Sequence, residues 1–256
     1  QRLYITCFEG DENAPKDEES AEIWKEIFQK NEITGERIYF RPKEKNWWSA
    51  GPNGPCGPDT EMFYDLTGEL NSGMTLDEYL KADDEQRVVE IWNNVFMQYL
   101  SKDGKVVSEL PNKNVDTGAG FERMVAVVQG ERSVFETDIF ENIIDLVSKR
   151  FGENNEMRIK RIIADHLRTS VFMISDGVIP SNKDRGYILR RIIRRAVFQA
   201  WKSSRNQVQL NSLVSNVIEL YSNSYPEMSS KSELIQKVFE DEENKFIKTL
   251  DSGEKA

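Results

Sequence analysis

Arg87–Leu100, RVVEIWNNVFMQYL, constrains the fold more than any other stretch of the chain. It is rich in β-branched and aromatic residues and predicts a strand. Lys102-Asp103-Gly104-Lys105 follows. An Asp-Gly pair between apolar runs signals a hairpin, with Lys105–Leu110 as the returning strand. Asn114–Gln129, NVDTGAGFERMVAVVQ, then reads as a strand end, a glycine turn and a helix that buries Met124, Val127 and Val128. Further strands are predicted at Leu3–Phe8, Arg37–Phe40 and Thr60–Leu66. Helices are predicted over Ala21–Lys30 (capped by Ser20), Thr75–Asp84 and Thr137–Phe151.

Past Gly152–Glu156, a polar stretch that marks a domain boundary, only helical periodicity remains. It covers Ile162–Ser175, Tyr187–Trp201, Asn211–Asn223 and Lys231–Leu250, with Asp176–Asp184 as a turn. In Tyr187–Trp201 the apolar stripe is read as Ile188, Ile192, Ala196 and Ala200, alternating with Arg190/Arg191 and Arg194/Arg195. Residues 1–152 therefore predict an α+β domain and residues 153–256 a helical one.

The chain has 256 residues and a net charge of -10. It holds no run of about 18 apolar residues that would span a membrane, and no secretory leader. Its 13 Phe, 8 Tyr and 5 Trp are too many for a disordered acidic chain. Cys7 and Cys56 lie far apart, which suits a reducing, cytoplasmic setting. A first residue of Gln, directly before a strand, suggests a fragment. The charge is uneven. Residues 158–205 hold 12 Lys/Arg against 3 Asp/Glu, inside an otherwise acidic chain. Such a segment is either an anion-docking face, with nucleic acid the commonest large anion, or a solvated helix face.

Few residues are equipped for familiar catalysis. His166 is the one histidine, and a lone helical histidine is more often structural. No Gly-x-Ser-x-Gly elbow and no zinc-ligand spacing occur. In Asn46–Asp59, NWWSAGPNGPCGPD, glycines 51, 54 and 57 each precede a proline. Three prolines predict a stiff loop, with neither regular strand nor helix. It is not a Walker loop, because no Gly-Lys-Ser/Thr follows. Asp116-Thr117-Gly118-Ala119-Gly120 leads into a helix carrying Arg123. Glycines let a ligand approach the backbone, a helix N-terminus favours anions, and an early arginine can clamp a phosphate. The same glycines also suit tight helix–sheet packing, and Arg123 a surface ion pair.

Read together, four segments resemble the alanyl-tRNA synthetase family, in its order. They are NWWSAGPNGPCGPDTEMFYD, EIWNNVFMQYL, NVDTGAGFERM and ADHLRTSVFMISDGVIPSNKDRGYILRRIIRRAV. The resemblance implies a class II synthetase-type antiparallel sheet with flanking helices, followed by an all-helical tRNA-recognition domain. Gly118–Arg123 then resembles motif 3, with Arg123 on the ATP γ-phosphate and Gly120, Glu61 and Asn93 as further ATP or metal contacts. Asp116 matches the aspartate that receives the alanine ammonium group. Trp48, Val95 and Gly118 match the side-chain pocket, so Asp116 is expected at the floor of a tight, tryptophan-walled cavity. Asn182 matches the asparagine that reads the G3·U70 pair of tRNA(Ala), with Arg185, Arg190, Arg191 and Arg194 near the acceptor stem.

The implied reaction joins L-alanine to ATP as alanyl-adenylate and passes alanine to the tRNA 3′ end. It works by positioning and charge stabilisation, with Mg²⁺ on the phosphates and no zinc in this stretch. Motifs 1 and 2 and the editing domain of the family are absent from the sequence. The chain alone is therefore expected to form adenylate poorly, with motifs 1 and 2 supplied upstream or by a separate N-terminal chain. Alternatives are a non-catalytic tRNA-binding module and a paralogue that adenylates an amino acid without tRNA.

Overall fold

A computed structural model describes residues 1–152, 156–203 and 209–254. The chain divides into two compact units, Gln1–Thr137 and Asp138–Ala256. The division falls one helix earlier than the boundary drawn at 152/153 from sequence. The helix ending at Phe151 groups with the helices that follow it.

The first unit is built in the order β1 (Leu3–Phe8), α1 (Glu18–Lys30), β2 (Ile38–Arg41), α2 (Lys43–Asn46), β3 (Trp47–Ser49) and β4 (Gly54–Asp65). It continues with α3 (Leu76–Asp84), β5 (Val88–Lys102), β6 (Lys105–Ala119), α4 (Phe121–Gln129) and a 3-10 turn at Val134–Glu136. The strands lie in the order β2-β1-β4-β5-β6, with β3 added to β4. The sheet is mixed, not antiparallel throughout. β1 and β2 run parallel, with Ile5 opposite Ile38. Helix α1 provides the crossover that a parallel pair requires. The hairpin forms as its sequence predicts. Lys102 pairs with Lys105, and both turn residues have positive φ, Asp103 at 51° and Gly104 at 78°, which suits a two-residue hairpin loop.

Several local expectations are overturned. The proline-rich stretch is strand from Gly54 onward, because a proline lacks a donor but keeps its acceptor. The Pro55 carbonyl accepts from Ala50 N at 3.1 Å, and Pro58 sits where the β4–β5 register shifts between Cys56 and Asp59. A Cβ on Gly57 would collide with the backbone carbonyl of Phe96, so only glycine admits this strand approach. Ser20 does not cap α1. Asp17 does, accepting from Ser20 N at 3.0 Å, so the helix begins earlier than predicted. In α4 the buried residue is Ala126, whereas Val128 is 80 % exposed.

Two clusters hold this unit together. Ile5, Cys7 and Phe28 pack with Trp24 and Met62, under α1. Tyr4, Tyr39, Met74, Tyr79 and Val88 form the other, where Tyr39 stacks on Tyr79 with ring centroids 4.3 Å apart. β6 occupies one edge of the sheet and is exposed along nearly all of its length.

The second unit comprises α5 (Glu141–Phe151), α6 (Met157–Ser175), α7 (Asp184–Ser203), α8 (Asn211–Tyr221), α9 (Pro226–Ser230) and α10 (Ser232–Glu254). Its core includes Ile163, Leu167, Val171 and Ile174 of α6, Leu189, Ile193 and Val197 of α7, and Ile235 and Phe239 of α10. Ala196 and Ala200 of the predicted α7 stripe are buried, but its first half is displaced by one position, with Leu189 and Ile193 inside in place of Ile188 and Ile192. Ile188 is exposed and Leu189 is inside. Among the described residues, no helix is long and apolar enough to cross a membrane.

Candidate active site and basic helix

Strand register gathers most of the predicted site residues onto one sheet face. Across β4, β5 and β6, Asp59 lies opposite Val95, and Val95 opposite Asp116. Two residues along, Glu61 lies opposite Asn93, and Asn93 opposite Gly118. Directly paired residues point to the same side of a sheet, as do residues two apart on a strand. Asp59, Glu61, Asn93, Val95, Asp116 and Gly118 therefore share a face. Phe63 pairs with Glu90, which adds a third buried-side carboxylate to the group. On β3, Trp48 pairs with Gly57, two residues before Asp59.

The carboxylates strain against one another and against burial. Burial pushes the Glu61 carboxyl up to about 8, with the neighbouring Asp59 and Glu90 charges adding to the effect. Burial likewise lifts Asp59 to about 7, partly offset by its hydrogen bonds and reinforced by Glu90. Glu61 accepts from Asn93 Nδ2 at 3.2 Å and from Thr6 Oγ1 at 3.4 Å. Asn46 Nδ2, wholly buried, donates to Asp59 Oδ1 at 3.0 Å and to Thr6 Oγ1 at 2.9 Å. Asn93 Oδ1 is buried with no hydrogen-bond partner, an acceptor turned into the site. Glu90 is balanced by Arg123, whose Nη1 lies 3.0 Å from Glu90 Oε2.

Arg123 reaches that position by lying across Gly120, the residue at the N-cap of α4. A Cβ on Gly120 would strike the Arg123 guanidinium, so the second glycine of the turn serves arginine packing. Gly118 differs, since a Cβ there would meet nothing. That leaves open space above β6 beside Asn93.

Asp116 does not sit at the floor of an enclosed cavity. It is exposed on the edge strand, with its Oδ1 accepting only from Thr117 N, at 2.8 Å. Trp48 is 36 % exposed. Only Val95, at 8 %, is a buried wall. The expectation of a tight pocket fails because burial at Asp116 depends on what covers β6, and local sequence does not encode that. Sequence reasoning also missed Asp59, Glu90 and Asn46. Two signals pointed to them: Asp59 and Glu61 are two apart on one strand, and Glu90 is the one charge inside VVEIW.

Oxygen-rich donor sets suit hard divalent cations. Among the described residues no group of three converges as a metal cage. Glu61 offers carboxylate oxygen of the kind Mg²⁺ takes when it is shared with phosphates, whereas Glu90 is already paired with Arg123.

In the second unit, Asn182 is exposed in the turn before α7, and Arg185 and Arg191 are exposed on that helix. Arg190 and Arg194 are not free-standing. Arg194 Nε donates to Glu242 Oε1 at 2.6 Å, and Arg190 Nε lies 3.6 Å from the same oxygen. Glu242 is 3 % exposed on α10. The basic helix thus divides into arginines spent on the fold and arginines presented to solvent.

A fold of this kind, with a glycine turn and an arginine closing the last strand of a mixed sheet, is that of a class II aminoacyl-tRNA synthetase. The family model for class II (A) tRNA synthetases matches residues 1–256, and the chain belongs to that family. It is 42 % identical over 261 residues to an alanine–tRNA ligase of Borrelia hermsii, covering 99 % of this chain and 43 % of that protein. An alanine–tRNA ligase of Petrotoga mobilis is 41 % identical over 260 residues, with 99 % and 28 % covered. That of Cytophaga hutchinsonii is 39 % identical over 260 residues, with 98 % and 29 % covered. The chain therefore spans less than half the length of these relatives.

Proposed function

We propose that this chain is the motif 3-bearing part of an alanine–tRNA ligase, which activates L-alanine with ATP and transfers it to tRNA(Ala). The observation that carries the reading is the register that sets Val95 against Asp116 and Asn93 against Gly118, one helical turn from Arg123. Asp116 receives the alanine ammonium group. Val95, Gly118 and Trp48 bound the space for its methyl group. Arg123, pre-oriented by Glu90, meets the ATP γ-phosphate, and the backbone at Gly120 approaches the phosphates beside it. Glu61 and Asn93 supply oxygen donors to ATP or to Mg²⁺, which offsets phosphate charge when bound.

Alanine's carboxylate then attacks the α-phosphate and pyrophosphate leaves; the tRNA 3′-terminal hydroxyl later attacks the alanyl carbonyl of the adenylate, the acyl–phosphate bond breaks, and AMP leaves. Little side-chain proton transfer is needed, so positioning and electrostatics carry the rate. The helical unit is the acceptor-stem-recognition domain. Asn182 reads G3·U70, Arg185 and Arg191 meet backbone phosphates, and Arg190 and Arg194 support the reading loop.

The exposed β6 edge supports a further part of this reading. An unpaired edge is a template for another strand, and a strand from the segment carrying motifs 1 and 2 would cover Asp116 and close the alanine pocket. That segment belongs either to the same polypeptide or to a separate N-terminal chain. On this reading the 256-residue chain alone is impaired in activation. The test is alanine-dependent ATP–pyrophosphate exchange by the full-length gene product and by this chain alone. Exchange by the first with little by the second is expected. Full exchange by this chain alone contradicts the impairment. Acceptor-stem binding by the full-length protein without any exchange would favour a non-catalytic RNA-binding module.

A further inference from the structure

Arg190 Nη1 donates to Asn182 Oδ1, from the second turn of α7 to the loop before it. A guanidinium has donors only, so the amide must turn its oxygen toward Arg190 and its NH₂ group away. Arg190 is itself anchored. Its side chain is three-quarters buried, and its Nε lies 3.6 Å from Glu242 Oε1, an ion-pair distance without a hydrogen bond, while Arg194 Nε donates to the same oxygen. Arg194 in turn lies over the Phe246 ring, 5.2 Å from its centroid.

The loop backbone is braced separately. Ser181 N donates to Gly186 O at 3.0 Å, and Ser181 Oγ donates to Lys183 O at 2.9 Å. Gly186 leaves no room for a Cβ against Ser181 and the Ile179 carbonyl. With the backbone fixed, the remaining freedom at Asn182 is its side chain. An unrestrained amide presents donor or acceptor with similar ease.

The geometry points to Arg190 as a positioning residue: held by Glu242, it locks the Asn182 amide so that Asn182 meets the acceptor stem as a hydrogen-bond donor. This rests on the acceptor-stem reading above and adds its polarity. The shallow RNA minor groove displays 2′-hydroxyls and base edges, which carry acceptors and, at guanine, an amino donor, so a fixed donor has acceptor partners there. Arg190 acts through Asn182 and touches no base.

The test measures binding of this chain to two acceptor-stem duplexes, G3·U70 and G3·C70, at one salt concentration, because phosphate contacts vary with salt. Arg190→Leu should cut the preference for G3·U70 at least fivefold while changing G3·C70 affinity less than twofold. Arg190→Lys, which keeps a donor, should restore at least half of the lost preference. Asn182→Asp sits at an exposed position and does not threaten folding. It replaces the outward donor by an acceptor, and should lose the preference as fully as Asn182→Ala. Parallel loss of both affinities in Arg190→Leu would make Arg190 a phosphate contact and overturn the proposal. So would an unchanged preference in Arg190→Leu or Asn182→Asp. If Asn182→Ala also keeps the preference, the acceptor-stem reading itself fails; if it alone loses it, only the positioning role fails.

Discussion

The two units handle charge in opposite ways. In the first, three carboxylates are pressed together on the inner part of a sheet face, and one arginine, Arg123, answers one of them. In the second, four arginines crowd two turns of α7, and one buried carboxylate, Glu242, answers two of them. The acidic site answers its crowding by holding protons, which a bound cation would displace. Of those four arginines Arg191 and Arg195 stay exposed, and Arg185 and Lys202 add to them on the same helix, which suits an RNA backbone. The same imbalance that costs stability in each unit is what a ligand of opposite charge relieves.

The comparison is broken most severely at Glu242. Glu242→Ala leaves two arginines around an uncompensated buried position and should destabilise the helical unit by about 3–5 kcal/mol, read by denaturant unfolding. A change below about 1 kcal/mol would show that the Arg190–Glu242–Arg194 group is not structural. Next, Arg123→Ala in the full-length protein should lower kcat/KM for ATP in alanine activation about a hundredfold, a loss of the size seen when a charge-stabilising donor is removed. Unchanged kinetics would return Arg123 to the role of a surface ion pair.

pH sharpens the contrast. Glu61 and Asp59 hold their protons to about 8 and about 7 when folded, well above the unfolded range near 4. Between these limits the folded state binds more protons, so the first unit loses stability as pH rises from about 4 through 8. Glu61→Gln should flatten that decline in a series of thermal melts; an equally steep decline would locate the titration elsewhere. In the second unit burial raises the Glu243 carboxyl as well, but there the backbone N–H groups of Leu210 and Asn211 donate to it and oppose the shift. A smaller effect distinguishes the arginines. Arg191→Ala should reduce the salt slope of RNA binding by about one without altering stability. Arg194→Ala should alter stability instead. The smallest effect concerns the helix start that sequence misread: Asp17→Ala should cost about 1 kcal/mol as a lost N-cap, whereas Ser20→Ala should cost less.

Much of this was legible in the residues. Leu3–Phe8, the long strand from Val88 and the Asp103-Gly104 turn follow from local preference, because each is written in consecutive residues. The glycine turn that runs from β6 into α4 is likewise written in consecutive residues. What stayed hidden depends on pairing across the sheet. Pro55 and Pro58 look like strand breakers until partner strands pair beside them without needing an N–H from either. Asp116 looks like a strand-end residue facing inward until β6 proves to be an edge. Glu90 and Asp59 look like scattered acids until register brings them beside Glu61. Arg190 and Arg194 look equivalent to Arg191 until α10 brings Glu242 to them.

The division of labour is tested most directly by Asp116→Asn in the full-length protein, with alanine-dependent pyrophosphate exchange and acceptor-stem affinity measured on the same preparation. Exchange should fall at least a hundredfold, through KM for alanine, while RNA affinity stays within twofold. Exchange that survives the substitution, or RNA affinity that falls along with it, would contradict the assignment of alanine to the sheet face and RNA to the helices.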